Sequence, residues 1–166
     1  MNTKPLLLSL LIAGTAILAP ASAATSDEAA SPLTSQQARN MAAAAELAAI
    51  AQGHAIVISI IDNHGKPKYF HRMDGADKAS IKLAQLKAET SARFPLASPT
   101  SGEHSPAHPA KPYASLPGLT LLEGGLPIMD KNGMHIGGIG ISGATPELDA
   151  QFTRVALEEL GGESTL

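Results

Sequence analysis

The sequence contains no cysteine and no tryptophan, and its Tyr and Phe residues together number only five in 166. Without thiols there is no disulfide framework, thiolate nucleophile, iron–sulfur cluster or thiolate zinc site. Only His, carboxylates, Met, Tyr and hydroxyls remain for metal or covalent chemistry. An excess of positive charge is also missing: 12 Lys and Arg against 15 Asp and Glu give a formal net charge of -3. That balance argues against a nucleic-acid partner, since neutralising phosphates requires clustered basic side chains. The length favours one domain over two.

The first residues pose a separate problem. Met1 to Pro5 carries one Lys, Leu6 to Ala19 is a largely apolar run of 14, and Ala21-Ser22-Ala23 is an Ala-x-Ala pattern. This arrangement predicts a secretory signal peptide over residues 1–23, because the run is shorter than the roughly 17–25 residues that span a bilayer. Cleavage after Ala23 leaves 143 residues of charge -4, since Lys4 is the only charged residue removed. The chain is then periplasmic or secreted, with no membrane insertion once the leader is gone. Such a length can bury about two thirds of its unfolded surface, enough for one core without disulfides.

Residues 24–32 are rich in Ala, Ser, Thr and acid and read as a flexible mature N-terminus. A helix then starts at Thr34, with Gln37 completing a capping box, and stops at Gly53. Ala55 to Ile61 is a nearly continuous apolar run and reads as a buried strand. Asp62-Asn63-His64-Gly65 is a turn, and Lys66 to His71 the returning strand, with Pro67 placing it at an edge or at its start. A second helix fits residues 77–93, with Ile81, Ala84, Ala88 and Ala92 on one face. Residues 95–117 hold six prolines and form a long loop. Strands follow at Leu119–Leu122, Leu126–Met129 and Met134–Ser142, the last two joined by the turn Asp130-Lys131-Asn132-Gly133. A final helix runs from the N-cap Thr145 to Leu160. Hairpin connections predict an α+β fold, with an antiparallel sheet of about five strands flanked by helices in a single domain, residues 33–162.

Several motifs suggest chemistry. Gly138-Ile139-Gly140-Ile141-Ser142-Gly143 satisfies G-x-G-x-x-G, but a dinucleotide site needs a following strand to carry the ribose contact, and only one helix and a tail remain. Glycines on a strand that allow close backbone approach to a packed helix or a bound ligand are the better reading. His104 and His108 have chelating spacing on a helix that Pro106 and Pro109 forbid, so they are weak metal candidates in a loop. His54 and His64 flank the first strand and read as capping or turn residues, and His135 as exposed. His71-Arg72-Met73-Asp74 is different: a cation, a thioether and an anion meet where a strand ends and a helix approaches. It can be a salt bridge with a gap-filling Met, or a ligand wall in which Arg72 takes a carboxylate and Asp74 orients it. No G-x-S-x-G elbow supports a Ser-His-Asp hydrolase.

Taken in order, Ile56 to Asp62 with Gly65, Arg72-Met73-Asp74-Gly75-Ala76, Ala84 with Lys87-Ala88 and Thr90, Gly124-Gly125-Leu126-Pro127-Ile128, and Ile136 to Gly143 with Asp149 resemble the GlcG/HbpS-type haem-binding family over about residues 33–160. The resemblance implies a homo-oligomer such as an octamer and binding of haem or a related tetrapyrrole, with a haem-degrading or redox-sensing role in exported members. Other members accompany glycolate use, which keeps a small-carboxylate-handling enzyme or accessory factor as the alternative. Whether the chain is an enzyme is left open. For haem, His71 is the first candidate axial ligand, with the loop residues His104 and His108 as weak alternatives. Met73 and the aliphatic strands supply the slot, and Arg72 with the helix starts meets the propionates. Asp74, Gly124, Gly125, Pro127 and Thr145 complete the expected ligand-binding set. For a small acid, Arg72 is the grip, and the glycine-rich segment with Thr145 an anion cradle.

Overall fold

A computed structural model describes Met1 and residues 32–94, 118–120 and 122–162. Residues 2–23 of the expected leader, residues 24–31 of the expected N-terminal segment, and the expected proline-rich loop 95–117 with His104 and His108 lie outside the described residues.

Local chemistry accounts for the elements that form. Helix α1 (Ser35–Ala51) starts at the predicted capping box: the Gln37 N–H donates to Thr34 Oγ1 at 3.1 Å, and the Thr34 N–H donates to Gln37 Oε1 at 3.0 Å. Each terminal N–H so satisfied would otherwise be an orphan of the first turn. The helix ends at Gln52 before Gly53, whose φ of 75° is the left-handed exit that favours glycine. Strands β1 (Val57–Asp62) and β2 (Pro67–Arg72) are joined by a turn in which Asp62 Oδ1 accepts from the His64 and Lys66 N–H groups at 2.9 and 2.8 Å. The same device recurs at Asp130, between β3 (Gly125–Met129) and β4 (His135–Ser142). Helix α2 (Lys78–Arg93) starts at Asp77, and α3 (Pro146–Gly162) runs two residues past the expected Leu160.

The sheet has four antiparallel strands in the order β2-β1-β4-β3. The described residues of the expected strand at Leu119–Leu122 do not join it. The Thr120 N–H donates to Thr90 Oγ1 of α2 at 3.0 Å, and the Leu122 N–H to Thr120 Oγ1 at 3.2 Å, so these donors are taken locally and not by a neighbouring strand. Helices α1 and α3 cover one face of the sheet and α2 the other. The α1/α3 side holds the main core: Met41, Ala45, Ile58, Ile60, Ile139, Ile141 and Phe152. On the α2 side, Val57 and Ile61 of β1 pack against the α2 alanines, while β4 presents glycines. A Cβ on Gly138 would lie 2.5 Å from Ala88 O and Ala92 N, and one on Gly140 would run into Ala84 O and Ala88 N. The glycine-rich strand is therefore the floor on which α2 lies backbone to backbone, as the close-approach reading expected.

Candidate functional site

The predicted wall, His71 to Asp74, lies at the end of edge strand β2. Its members make contacts within the fold. Arg72 donates from Nε and Nη2 to Ala76 O at 3.1 and 2.7 Å, closing the loop that leads into α2. The expected orienting role of Asp74 is taken by that carbonyl, and no Arg72–Asp74 ion pair forms among the described residues. Met73 turns inward: its Sδ accepts from the Ile56 N–H at 3.3 Å while its own N–H donates to Ile56 O at 3.0 Å. His71 is half-buried, its side chain 36% exposed, with Nε2 3.6 Å from Glu46 Oε1 and its ring 6.4 Å from that of Tyr69.

Gly124, Gly125 and Pro127 belong to the opposite edge of the sheet. Cross-strand register puts Arg72 beside Val57, Val57 beside Ser142, and Gly125 beside Gly140, so both groups sit at the same end of the sheet. Three strand spacings separate them, about 14 Å at the usual ~4.8 Å per pair. Within one chain the expected ligand set does not close into one pocket. Pro127 instead lines a separate groove of about 330 Å³ with Met129, Leu157 and Leu160. Thr145 caps α3, its Oγ1 accepting the Leu148 N–H at 3.4 Å. The anion cradle at this helix start is filled from within, because Asp149 Oδ1 accepts the Ala144 N–H at 3.1 Å. A small acid thus finds the expected cradle occupied and two of the Arg72 donors committed.

What fills the cradle belongs to a buried polar cluster for which the sequence reading assigned no role. Lys87 Nζ lies 2.8 Å from Asp149 Oδ2 and 2.7 Å from Ile141 O, with both side chains almost fully buried. Gly124 is packed over the pair at φ 97°: a Cβ there would be 2.9 Å from Nζ, 2.7 Å from Asp149 Cβ and 2.8 Å from Ile141 O. Thr153 Oγ1 donates to Gly124 O at 3.1 Å or to Asp149 O at 2.8 Å, and Glu123 is buried close enough to act on Lys87. Burial lowers the Lys87 pKa, opposed by the Asp149 charge; burial raises that of Asp149, opposed by Lys87. The cluster ties α2, β4, α3 and the entry to β3 together at one point. Its only local signal was the position of Lys87, three residues after Ala84 on the apolar stripe of the second helix.

Among the described residues, no group of three or more His, Asp or Glu is placed to hold a metal ion, and no helix is long and apolar enough to cross a membrane.

Comparison with known proteins agrees with this architecture. The family model for haem degrading protein HbpS-like matches residues 33–158. An uncharacterised 15.0 kDa protein of Citrobacter freundii, from the dhaT-dhaS intergenic region, is 33% identical over 134 residues, covering 76% of this chain and 90% of that protein. A double mutant of Streptomyces reticuli HbpS superposes with a TM-score of 0.70 at 30% identity, over 90% of this chain and 99% of that one. The PduOC:heme complex also gives a TM-score of 0.70, at 27% identity over 78% and 95% of the two chains. The chain belongs to the HbpS-like family, whose model spans nearly all of its described residues.

Proposed function

We propose that this chain is an exported haem-binding protein that works as a homo-oligomer. The carrying observation is the HbpS-like match over residues 33–158, supported by the shared fold of a domain solved with haem. Bound haem would supply a redox-active iron. The protein would supply an axial ligand, an apolar face and cationic partners for the propionates.

The donor set fits that demand. With no cysteine in the chain and the Met73 sulfur turned to the Ile56 N–H, imidazole is the available strong ligand, and His64 and His71 both present side chains outside the core. The family's haem-degrading description extends the proposal to breakdown of the bound group and, through it, to sensing of redox stress. Leu47 and Ile50, 68% and 55% exposed on α1, give an apolar surface that a second copy would cover.

The test is an optical titration of the chain beginning at Ala24 with haem. Saturable growth of a shifted Soret band at micromolar haem is the expected result, and a spectrum equal to that of free haem refutes the proposal. Bleaching of that band by added peroxide, faster than for free haem, tests the degrading role. Mass spectrometry of the exported protein tests the leader, with Ala24 expected as the first residue. Light scattering tests the oligomer, with a single mass above that of the monomer expected.

A further inference from the structure

On the α2 side of the sheet, away from the expected wall, two cavities run into each other. One, about 140 Å³, is lined by Ile61, Pro67, Tyr69 and Phe70 of the hairpin and by Gln85 and Glu89 of α2. The other, about 520 Å³, is lined by Asn63, His64, Glu89, Ala92 and Arg93. They share Ile61, Gly65 and Glu89, and so form one groove between the hairpin and the C-terminal half of α2. Its volume falls in the range of small-molecule sites, roughly 300–1,000 Å³.

The two ends of the groove differ in chemistry. The Phe70 end is aromatic and aliphatic, and Phe70 remains 45% exposed although the chain has only five aromatics. The other end carries an imidazole and a guanidinium. The His64 backbone is held by its N–H to Asp62 Oδ1 at 2.9 Å and by the turn at Gly65, while its ring has no hydrogen-bond partner among the described residues. Glu89 and Arg93 are four residues apart on one helix face, a spacing that commonly gives an ion pair, yet no ion pair forms between them. Both side chains line the groove instead. A flat apolar ligand carrying carboxylates at one edge matches this layout: the apolar body lies along Ile61, Pro67 and Phe70, and the carboxylates face Arg93. Glu89, the one acid among these lining residues, repels a carboxylate on its own side and so directs it toward Arg93.

We infer that haem occupies this groove, with His64 as its axial ligand and Arg93 as a propionate partner. The inference rests on the haem-binding reading and moves the site from His71 to the opposite face of the sheet. His71 has a carboxylate neighbour in Glu46, and neither half of the groove includes it.

The test titrates haem into the mature chain and into His64→Ala, His71→Ala, Arg93→Ala and Phe70→Glu, each first shown to be folded by circular dichroism. Expected are loss of the imidazole-type Soret band and at least a tenfold weaker affinity in His64→Ala, about tenfold weakening in Arg93→Ala from the lost charge-assisted hydrogen bond, and weaker binding in Phe70→Glu. His71→Ala is expected to match the parent. In an independent readout, bound ferric haem should broaden the NMR signals of Ile61, Phe70 and Ala92 and spare those of Glu46 and Leu47. If the parent binds and His64→Ala keeps its affinity and band position, or if broadening centres on Glu46, the groove is wrong and the haem reading survives. If the parent shows no binding, both fall.

Discussion

Replacing Lys87 with Met removes the ammonium from the most deeply buried charge pair described and keeps most of the side-chain volume. Asp149, 2% exposed, is then left without the partner 2.8 Å away, and Ile141 O loses its donor. Removing one member of a buried pair costs about 3–5 kcal/mol, since the remaining charge has nothing to offset its desolvation. Against a total stability of about 5–15 kcal/mol this is about a fifth or more. For a domain of this size it lowers Tm by about 10–20 °C. Urea unfolding followed by circular dichroism measures it, with m unchanged and the midpoint lowered.

The pair should not contribute that much net, because two desolvated charges largely cancel their own attraction. Lys87→Met with Asp149→Asn should therefore recover about 2 kcal/mol or more relative to Lys87→Met alone, a coupling that a double-mutant cycle isolates. A loss under about 1 kcal/mol in the single variant, or no recovery in the double, refutes the reasoning.

Other expectations follow from the same geometry. The raised Asp149 pKa means that the folded chain holds a proton the unfolded chain has already released above 3.8. Its contribution is thus full below that pH and lost as pH rises through the folded value. Relative to Asp149→Asn, the parent should lose stability over that window, as urea midpoints in a pH series would record. Gly140→Ala drives a methyl into the α2 backbone at Ala84 and Ala88 and should cost about 3 kcal/mol or more in the same unfolding assay. Gly124→Ala adds left-handed backbone strain to its contacts with Asp149 and Lys87 and should destabilise by a similar amount, about 3 kcal/mol. Thr34→Ala removes the α1 cap and should lower stability by about 1 kcal/mol, with the haem titration unchanged.

Features governed by neighbours in the chain were legible in the sequence. The Thr34–Gln37 box, the turns at Asp62 and Asp130, the glycine exit at Gly53 and the apolar runs of β1 and β4 each follow from a few adjacent residues. Leu119–Leu122 misled because a short apolar run looks like a strand whether or not a free sheet edge exists for it. The contacts of the expected ligand wall were not legible for a related reason. Arg72 and Met73 are residue types that recognise ligands, but their partners, Ala76 O and the Ile56 N–H, are backbone groups that no composition reveals.

By itself, then, the sequence determined the three helices and the four strands that pair, the absence of thiol chemistry and, through its motifs in order, the family. Each of these depends on residue type and short spacing alone. The tertiary structure decided which strands are neighbours, and so that Arg72 and Gly125 stand on opposite edges. It also decided that Lys87 is buried against an acid 62 residues away, and that a turn histidine shares a groove with Arg93. These are consequences of long-range packing: once the β4 glycines draw α2 onto the sheet, positions far apart in the chain acquire a common environment that neither segment specifies alone.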